Sequence, residues 1–211
     1  FMRPPLWRIH SPMQVYLATL FETTLGSGPA ATVSAEVPDL HYFRGDFGGA
    51  DIVPLWRDQD ATIPNANEVF MRRLAADAKT VNSPDSLFAY CFGIMCSHGY
   101  TEHFWEELRF FEPRIPVTRD PLLFDEVAEH GRVLIWLFTF ATRYSNSTTR
   151  PAAVNKGACR AITPVATAPE QHPATFSYDP ATETVIIGTG VFGPVTQSVW
   201  DFEVSGYAIL A

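Results

Sequence analysis

The stretch DPLLFDEVAEHGRVLIWLFTFATR, residues 120–143, carries the longest helical pattern in the sequence and decides the class of fold. Asp120 followed by Pro121 is a typical helix start, and apolar positions recur at helical spacing from there to Phe138. Gly131 interrupts the apolar stripe at a cost of about 1 kcal/mol relative to alanine. We therefore predict one helix that runs to about Arg143 and contacts another helix closely at Gly131.

Further helical patterns precede this stretch, and strand patterns lie on both sides of it. Ser83-Pro84-Asp85 combines a capping serine, a proline in the first turn and an acid at the positive end of the helix dipole. Shorter helices are predicted over Asn67–Lys79 and Tyr100–Leu108. The sequence thus predicts an α+β fold, in which a mixed β-sheet from the N- and C-terminal segments packs against a helical middle.

The strand candidates share short alternating or β-branched patterns bounded by turn residues. They are Gln14–Thr19, Ala31–Ala35, Asp51–Leu55, Thr175–Tyr178, Thr184–Gly188 and Val191–Val195. A last short helix is predicted to carry Val199, Trp200, Phe202 and Val204, with Gly206 as its C-cap. Residues 145–173 are rich in Ser, Thr, Pro and Ala, which predicts a loosely ordered connector inside a single domain spanning 1–211.

Composition limits the classes of protein. The 211 residues carry a net charge of -8 and three cysteines. An odd cysteine count without a CxxC pair argues against a disulfide framework and fits a reducing cytoplasm. Cys91, Cys96 and His98 are close in sequence, but their spacing matches no closed zinc site, so buried thiols are the simpler interpretation. We expect no metal and no cofactor.

Positive charge is scarce and consists mostly of arginine. Arg44 and Arg57 flank an aromatic and glycine-rich loop that contains Gly45 and Gly48-Gly49. This loop matches neither phosphate-binding glycine pattern. Its arginines either grip a guanine edge in a major groove or are simply solvated, and the arginine content also fits a GC-rich coding composition.

Patterns for catalysis are missing from the sequence. Neither GxSxG nor HExxH occurs, and no nucleophile stands beside an evident base. Glu102, Glu106 and Glu107 allow an acid–base role, although an exposed acidic helix face explains them more simply. An independent enzyme is therefore disfavoured.

The aromatic and glycine-rich loop also carries a family resemblance. PDLHYFRGDFGG at 38–49, followed by VPLWRD at 53–58, resembles the C-terminal specificity domain of Type ISP restriction-modification enzymes. Further blocks occur in the family's order. They are Leu6-Trp7 with Gln14–Leu17, DSLFAY at 85–90, HGYTEHF at 98–104, PRIP at 113–116, FSYD at 176–179 and VWDFEVSG at 199–206.

The resemblance implies a role in restriction-modification and phage defence. In such enzymes one polypeptide joins a nuclease, an ATP-driven translocase, an adenine methyltransferase and this target-recognition domain. The chain is expected to start partway into that domain, to read double-stranded DNA, and to cut, translocate or methylate nothing by itself. Its expected partners are DNA and the other domains of the parent enzyme, with no membrane. The candidate DNA-binding residues are Arg44, Gly45, Asp46, Arg57 and Arg114.

A second hypothesis follows from the charge. Ala50 stands where the family often has a basic residue, and Phe138 where a histidine is common. Together with the net charge of -8, these losses favour a non-catalytic scaffold module or remnant that docks on a methyltransferase or translocase without binding DNA. Docking would use apolar surface such as Trp7, Trp56 or Trp105, unless these side chains belong to the core.

Overall fold

The computed structural model describes residues 4–21, 25–39, 51–78, 83–110, 112–144, 151–152, 154–166 and 175–210. The chain divides into two compact units. Unit 1 comprises Phe1–Ala153 together with Val204–Tyr207, and unit 2 comprises Val154–Glu203 together with Ala208–Ala211.

Unit 1 holds the helical middle and the first sheet. Its helices are α1 (Pro4–Trp7), α2 (Glu68–Ala78), α3 (Pro84–Met95), α4 (His98–His103), α5 (Trp105–Leu108) and α6 (Pro121–Phe138). Its strands are β1 (Tyr16–Thr19), β2 (Thr32–Ser34) and β3 (Asp51–Pro54), which form an antiparallel sheet in the order β2-β1-β3. Leu17 at the centre pairs with Val33 on one side and Val53 on the other.

Unit 2 is built on a second antiparallel sheet. Its elements are β4 (Arg160–Thr163), β5 (Phe176–Asp179), β6 (Thr184–Ile187), β7 (Gly190–Gly193) and α7 (Gln197–Trp200), with the strand order β4-β7-β6-β5. The expected hairpin loop between β5 and β6 is present, and Asp179 accepts a hydrogen bond from the Ala181 amide at 2.9 Å. Trp200 stacks on Tyr178 with ring centroids 4.8 Å apart. Two short strands, β8 (Glu203–Val204) and β9 (Tyr207–Ala208), pair with each other.

The α+β class is confirmed, but the prediction of one mixed sheet from both ends of the chain is wrong. The described strands form separate antiparallel sheets. Short connections pair β5 with β6 and β6 with β7, so these strands satisfy their backbone hydrogen bonds within unit 2. The closing segment does reach the N-terminal region: the Ser205 and Gly206 amides donate to the Pro29 and Ser27 carbonyls at 2.8 and 2.6 Å.

Those two hydrogen bonds also explain why the predicted helix through Val204 is wrong. α7 ends at Trp200. Beyond it, the Ser205 and Gly206 amides bind loop carbonyls instead of a helical turn. Gly206 is therefore not a helix C-cap but a turn residue, with a φ of 78°.

The segment 145–173, predicted as a loosely ordered connector, contains a strand in its described part. β4 pairs with β7 although every one of its residues is exposed. Its exposed residues show no buried apolar face, so its pairing with β7 defines the strand. Residues 145–150, 153 and 167–173 of this segment lie outside the described part.

Both major helices begin where their capping residues predict. Ser83 accepts a hydrogen bond from the Ser86 amide ahead of α3, and Asp120 accepts from the Leu122 and Leu123 amides ahead of α6. The predicted end of α6 at Arg143 is wrong, because the helix stops at Phe138. There the backbone turns left-handed, with φ values of 51° at Phe140 and 63° at Ala141.

The predicted helix between Tyr100 and Leu108 is divided into α4 and α5. Phe104 breaks it, with φ and ψ of -104° and 20°. The ring of Phe104 packs against Tyr100 at 5.4 Å between centroids. At the break, the Phe104 side chain therefore lies against Tyr100 in the preceding helix α4.

The close helix contact predicted at Gly131 is confirmed. A Cβ atom built on Gly131 would overlap the Ala89 carbonyl oxygen of α3. Around this contact Phe92 meets Phe138 edge to face at 5.6 Å, and Tyr90 stacks on Phe124 at 4.5 Å. α3 and α6 therefore form one tightly packed pair that supports the sheet through a shared core.

Replacing Gly131 with alanine should destabilise the chain. The added methyl group forces the helices apart, which costs more than the gain in helix propensity, and we expect a net loss of about 2 kcal/mol. Gly99→Ala is the matched control, since the nearest atom to its added Cβ is Ser97 Oγ at 3.7 Å. Urea denaturation followed by circular dichroism measures both. Equal midpoints for the two variants would contradict the packing described here.

Candidate nucleic-acid interface

The structure describes two of the five predicted DNA-binding residues. Arg57 and Arg114 both lie on the surface of unit 1 and are exposed. Arg44, Gly45 and Asp46 lie outside the described residues. Arg57 follows β3, whereas Arg114 lies in an extended segment between α5 and α6.

The loop that carries Arg57 is held at its base by a buried glutamine. The side chain of Gln14 is fully buried. Its Nε2 donates to the Trp56 carbonyl at 2.9 Å, and its Oε1 accepts from the Trp56 amide at 2.9 Å. Gln14 therefore satisfies both backbone groups of Trp56, as a neighbouring strand would. These bonds fix the backbone immediately before Arg57.

The 55–65 loop is further closed by Asp58. The Asp58 carboxylate accepts hydrogen bonds from the Thr62 hydroxyl at 2.6 Å and from the Ile63 amide at 2.8 Å. The Arg57 amide donates to the Ile63 carbonyl at 2.8 Å across the loop. The hydrogen bond from the Thr62 side chain, with backbone amides adding to it, lowers the pKa of Asp58. Asp58 is thus an ionised brace whose acceptors are used inside the loop.

Arg57 itself is exposed and makes no side-chain hydrogen bond or ion pair with the part of the chain that the structure describes. Its backbone is fixed on both sides, while its guanidinium group points to no internal partner. A planar guanidinium group on a fixed backbone suits bidentate contact with the edge of a nucleobase or with a phosphate.

Arg114 lies in an extended strap, residues 112–119, that two tyrosines hold in place. The Tyr90 hydroxyl donates to the Pro116 carbonyl at 2.8 Å and accepts from the Thr118 amide at 3.2 Å. The Tyr100 hydroxyl donates to the Arg114 carbonyl at 3.1 Å. Burial raises the pKa of both tyrosines, so the hydroxyl groups stay protonated.

The surroundings of Arg114 are less favourable for DNA than those of Arg57. Arg114 lines a surface depression of about 230 Å³ together with Glu107 and Glu112. Two carboxylates next to a guanidinium group reduce the local positive potential that attracts phosphate. Arg114 is therefore the weaker of the two candidates.

The loop and the strap meet at one apolar cavity of about 250 Å³. Leu55 and Asn65 line it from the base of the loop, and Pro113 and Ile115 line it from the strap. None of the described residues that line it is charged, and burial raises the pKa of the Cys91 thiol in its wall to about 12. The loop and the strap both pack around this cavity. The described residues that line it supply neither an anion site nor a reactive thiolate.

The histidine and glutamates considered for acid–base chemistry lie exposed on the surface. His98 Nε2 lies 3.0 Å from Glu102 Oε1, and these two exposed residues are one helical turn apart. Glu106 and Glu107 are also exposed, which agrees with a solvated acidic face. Among the described residues, no three His, Cys, Asp or Glu side chains cluster in a way that would hold a metal ion. None of the described helices is long and apolar enough to cross a membrane.

Sequence comparison decides the family. The sequence model of the Type ISP C-terminal specificity domain matches residues 1–211. The chain belongs to this family of specificity domains. No curated protein sequence matches it.

Two solved structures resemble the specificity domain in fold. One is the cryo-electron microscopy structure of a DrdV–DNA complex, with a TM-score of 0.59, 18% identity and 93% of this chain covered. The other is a nuclease-deletion mutant of the Type ISP restriction-modification enzyme LlaGI in complex with a DNA substrate mimic, with a TM-score of 0.56, 17% identity and 93% of this chain covered. The domain spans only 19% and 13% of those chains.

The sequence predicts Arg57 as a candidate but does not indicate the residue that fixes its loop, Gln14. Gln14 was assigned only to a strand. The available signal was an uncharged amide directly before the buried apolar residues Val15 and Leu17, and its partner Trp56 lies 42 residues away. Nothing local in the sequence connects the two.

Replacing Gln14 with leucine should weaken the fold and release the loop. Leucine keeps most of the volume but leaves the Trp56 amide and carbonyl without partners, at about 1–3 kcal/mol for each buried group. We expect a loss of about 2–4 kcal/mol in urea denaturation, with faster hydrogen exchange at the Trp56 amide. Gln59→Leu, an exposed glutamine of the same loop, is the control. Similar denaturation midpoints for the two variants would show that the buried amide does not hold the loop.

Proposed function

We propose that this specificity domain reads the sequence of double-stranded DNA, with Arg57 as the principal base-contacting residue. The observation that carries the proposal is an exposed guanidinium group on a loop fixed by Gln14 and Asp58. Arginine binds the O6 and N7 atoms of guanine bidentately in the major groove. A rigid backbone at the arginine helps to position the guanidinium group for this contact. The relatives DrdV and LlaGI were both determined with DNA or a DNA mimic.

We assign Arg114 a contact with the DNA backbone and Arg44, Gly45 and Asp46 a place at the same surface. The exposed strap supports the first assignment, since phosphate contacts orient a protein without specifying sequence. The second rests on the sequence: Arg44–Asp46 precede β3 and Arg57 follows it. The strand between them has four residues.

The domain acts, in this proposal, as the non-catalytic target-recognition part of a larger enzyme. The relatives support it, since the chain spans a fifth or less of their length. Methylation, translocation and cleavage then belong to the methyltransferase and the translocase and nuclease domains, which are its partners besides DNA. Residues 1–211, although divided into two units, serve as one recognition domain.

The scaffold alternative keeps one observation in its favour. Trp7 is 55% exposed, whereas Trp56 is buried and Trp105 is half-buried. With the net charge of -8, an exposed indole suits docking on another protein. Direct DNA binding separates this alternative from the main proposal.

The purified chain should bind a fluorescent random-sequence duplex weakly, with a dissociation constant no tighter than about 10⁻⁵ M at about 0.15 M salt, because few cations are available to release counterions. A duplex enriched from a random pool at low salt should bind more tightly. Arg57→Ala should lower affinity for the enriched duplex about tenfold or more, and for the random duplex by less.

Arg73→Ala, which removes an exposed arginine on α2, is the control for this anisotropy titration. Equal losses for Arg57→Ala and Arg73→Ala would contradict base reading by Arg57. No binding by the wild-type chain even at about 20 mM salt, where phosphate contacts are strongest, would favour the scaffold alternative.

A further inference from the structure

Gln14 joins a second surface segment to the 55–65 loop. Its Nε2 atom donates not only to the Trp56 carbonyl at 2.9 Å but also to the Ile9 carbonyl at 3.0 Å. The two carbonyl oxygens are therefore at most about 6 Å apart, since both bind the same nitrogen atom. Arg8 precedes Ile9 and Arg57 follows Trp56. One buried amide thus brings the backbone attachment points of two arginines together.

Arg8 resembles Arg57 in having a fixed backbone and an uncommitted side chain. The turn after α1 is closed by the Ile9 amide, which donates to the Leu6 carbonyl at 3.2 Å, and the Tyr16 hydroxyl donates to that same carbonyl at 3.2 Å. The Arg8 side chain is exposed and forms no hydrogen bond or ion pair with any residue that the structure describes.

A third arginine of this region shows the contrast. Arg143 donates from Nε to the Gln14 carbonyl at 2.7 Å and from a terminal nitrogen to the Ala35 carbonyl at 2.9 Å. Its charge is used within the fold. Arg8 and Arg57 have no such partners among the residues that the structure describes.

The neighbours of Arg8 suit a nucleic acid. Trp7 is exposed and meets the His10 ring edge to face, with centroids 5.9 Å apart. In the same region, Glu36 Oε2 lies 3.5 Å from His10 Nε2. In the loop, the Asp58 carboxylate is occupied by Thr62 and Ile63. Arginine side chains donate hydrogen bonds to phosphates and base edges, and an exposed aromatic ring such as Trp7 can stack on a base.

We propose that Arg8 and Arg57 form a single two-arginine contact with one DNA segment, in which Arg8 binds a backbone phosphate and Arg57 binds a base edge. This inference rests on the proposed function and adds a residue and a division of labour to it. Gln14 is the positioning residue, because it fixes both attachment points. Phosphate contact by Arg8 sets the register, which lets Arg57 meet its base.

The salt dependence of binding to the random duplex tests the assignment of Arg8. Arg8→Ala should lower the slope of log K against log salt by about 0.9, the value for one phosphate contact. It should weaken binding to the random duplex and binding to the enriched duplex by the same factor, unlike Arg57→Ala. Arg8→Lys should retain the wild-type slope because it keeps the charge, which separates loss of charge from loss of structure. Arg73→Ala again serves as the control.

Each outcome decides between the inference and the function on which it rests. If the wild-type chain binds DNA and Arg8→Ala keeps the slope of Arg73→Ala, the two-arginine contact is wrong and DNA recognition stands. If Arg8→Ala weakens the enriched duplex far more than the random one, Arg8 reads bases and the division of labour is wrong. If fluorescent polyglutamate binds as well as DNA and is equally weakened, the surface recognises acidic protein instead. If the wild-type chain binds no duplex at about 20 mM salt, the proposed function itself fails.

Discussion

The buried side-chain amide of Gln14 is the interaction on which the rest of the proposed interface depends. Three strong polar partners meet it: the Ile9 carbonyl and both backbone groups of Trp56. An uncharged amide can satisfy donors and acceptors together without burying a charge. It therefore couples the turn after α1 to the loop after β3 while β1 stays in the apolar core. The backbone next to Arg8 and Arg57 gains a defined position from this one side chain.

The helices supply the rigidity that a small, three-stranded sheet lacks. Gly131 lets α6 approach the Ala89 backbone, and the resulting pair presents Tyr90 to the strap that carries Arg114. One arginine also contributes to the stability of the fold. Arg143 donates to internal carbonyl groups, and the chain carries a net charge of -8. For the proposed function, this predicts weak binding of DNA by the isolated chain.

Local signals in the sequence predict part of this structure and leave the rest undetermined. The starts of α3 and α6 follow from Ser83 and Asp120, and the helix contact follows from the cost of Gly131, because caps and propensities act within a few residues. The end of α6 does not, since the non-glycine residues Phe140 and Ala141 adopt a left-handed backbone that their residue types do not signal. Sheet pairing and the Gln14 clamp are set between distant residues. The sequence alone predicts Arg57 as a candidate, whereas the proposal for Arg8 depends on the contact between Ile9 and Gln14.

Backbone hydrogen exchange, measured with and without saturating duplex at low salt, tests the central claim most directly. The claim is that DNA meets the surface that Gln14 organises. We predict that DNA slows exchange in residues 4–9 and 55–65, with smaller effects in the strap at 112–119. Slower exchange confined to unit 2, with both Gln14-linked segments unchanged, would contradict it.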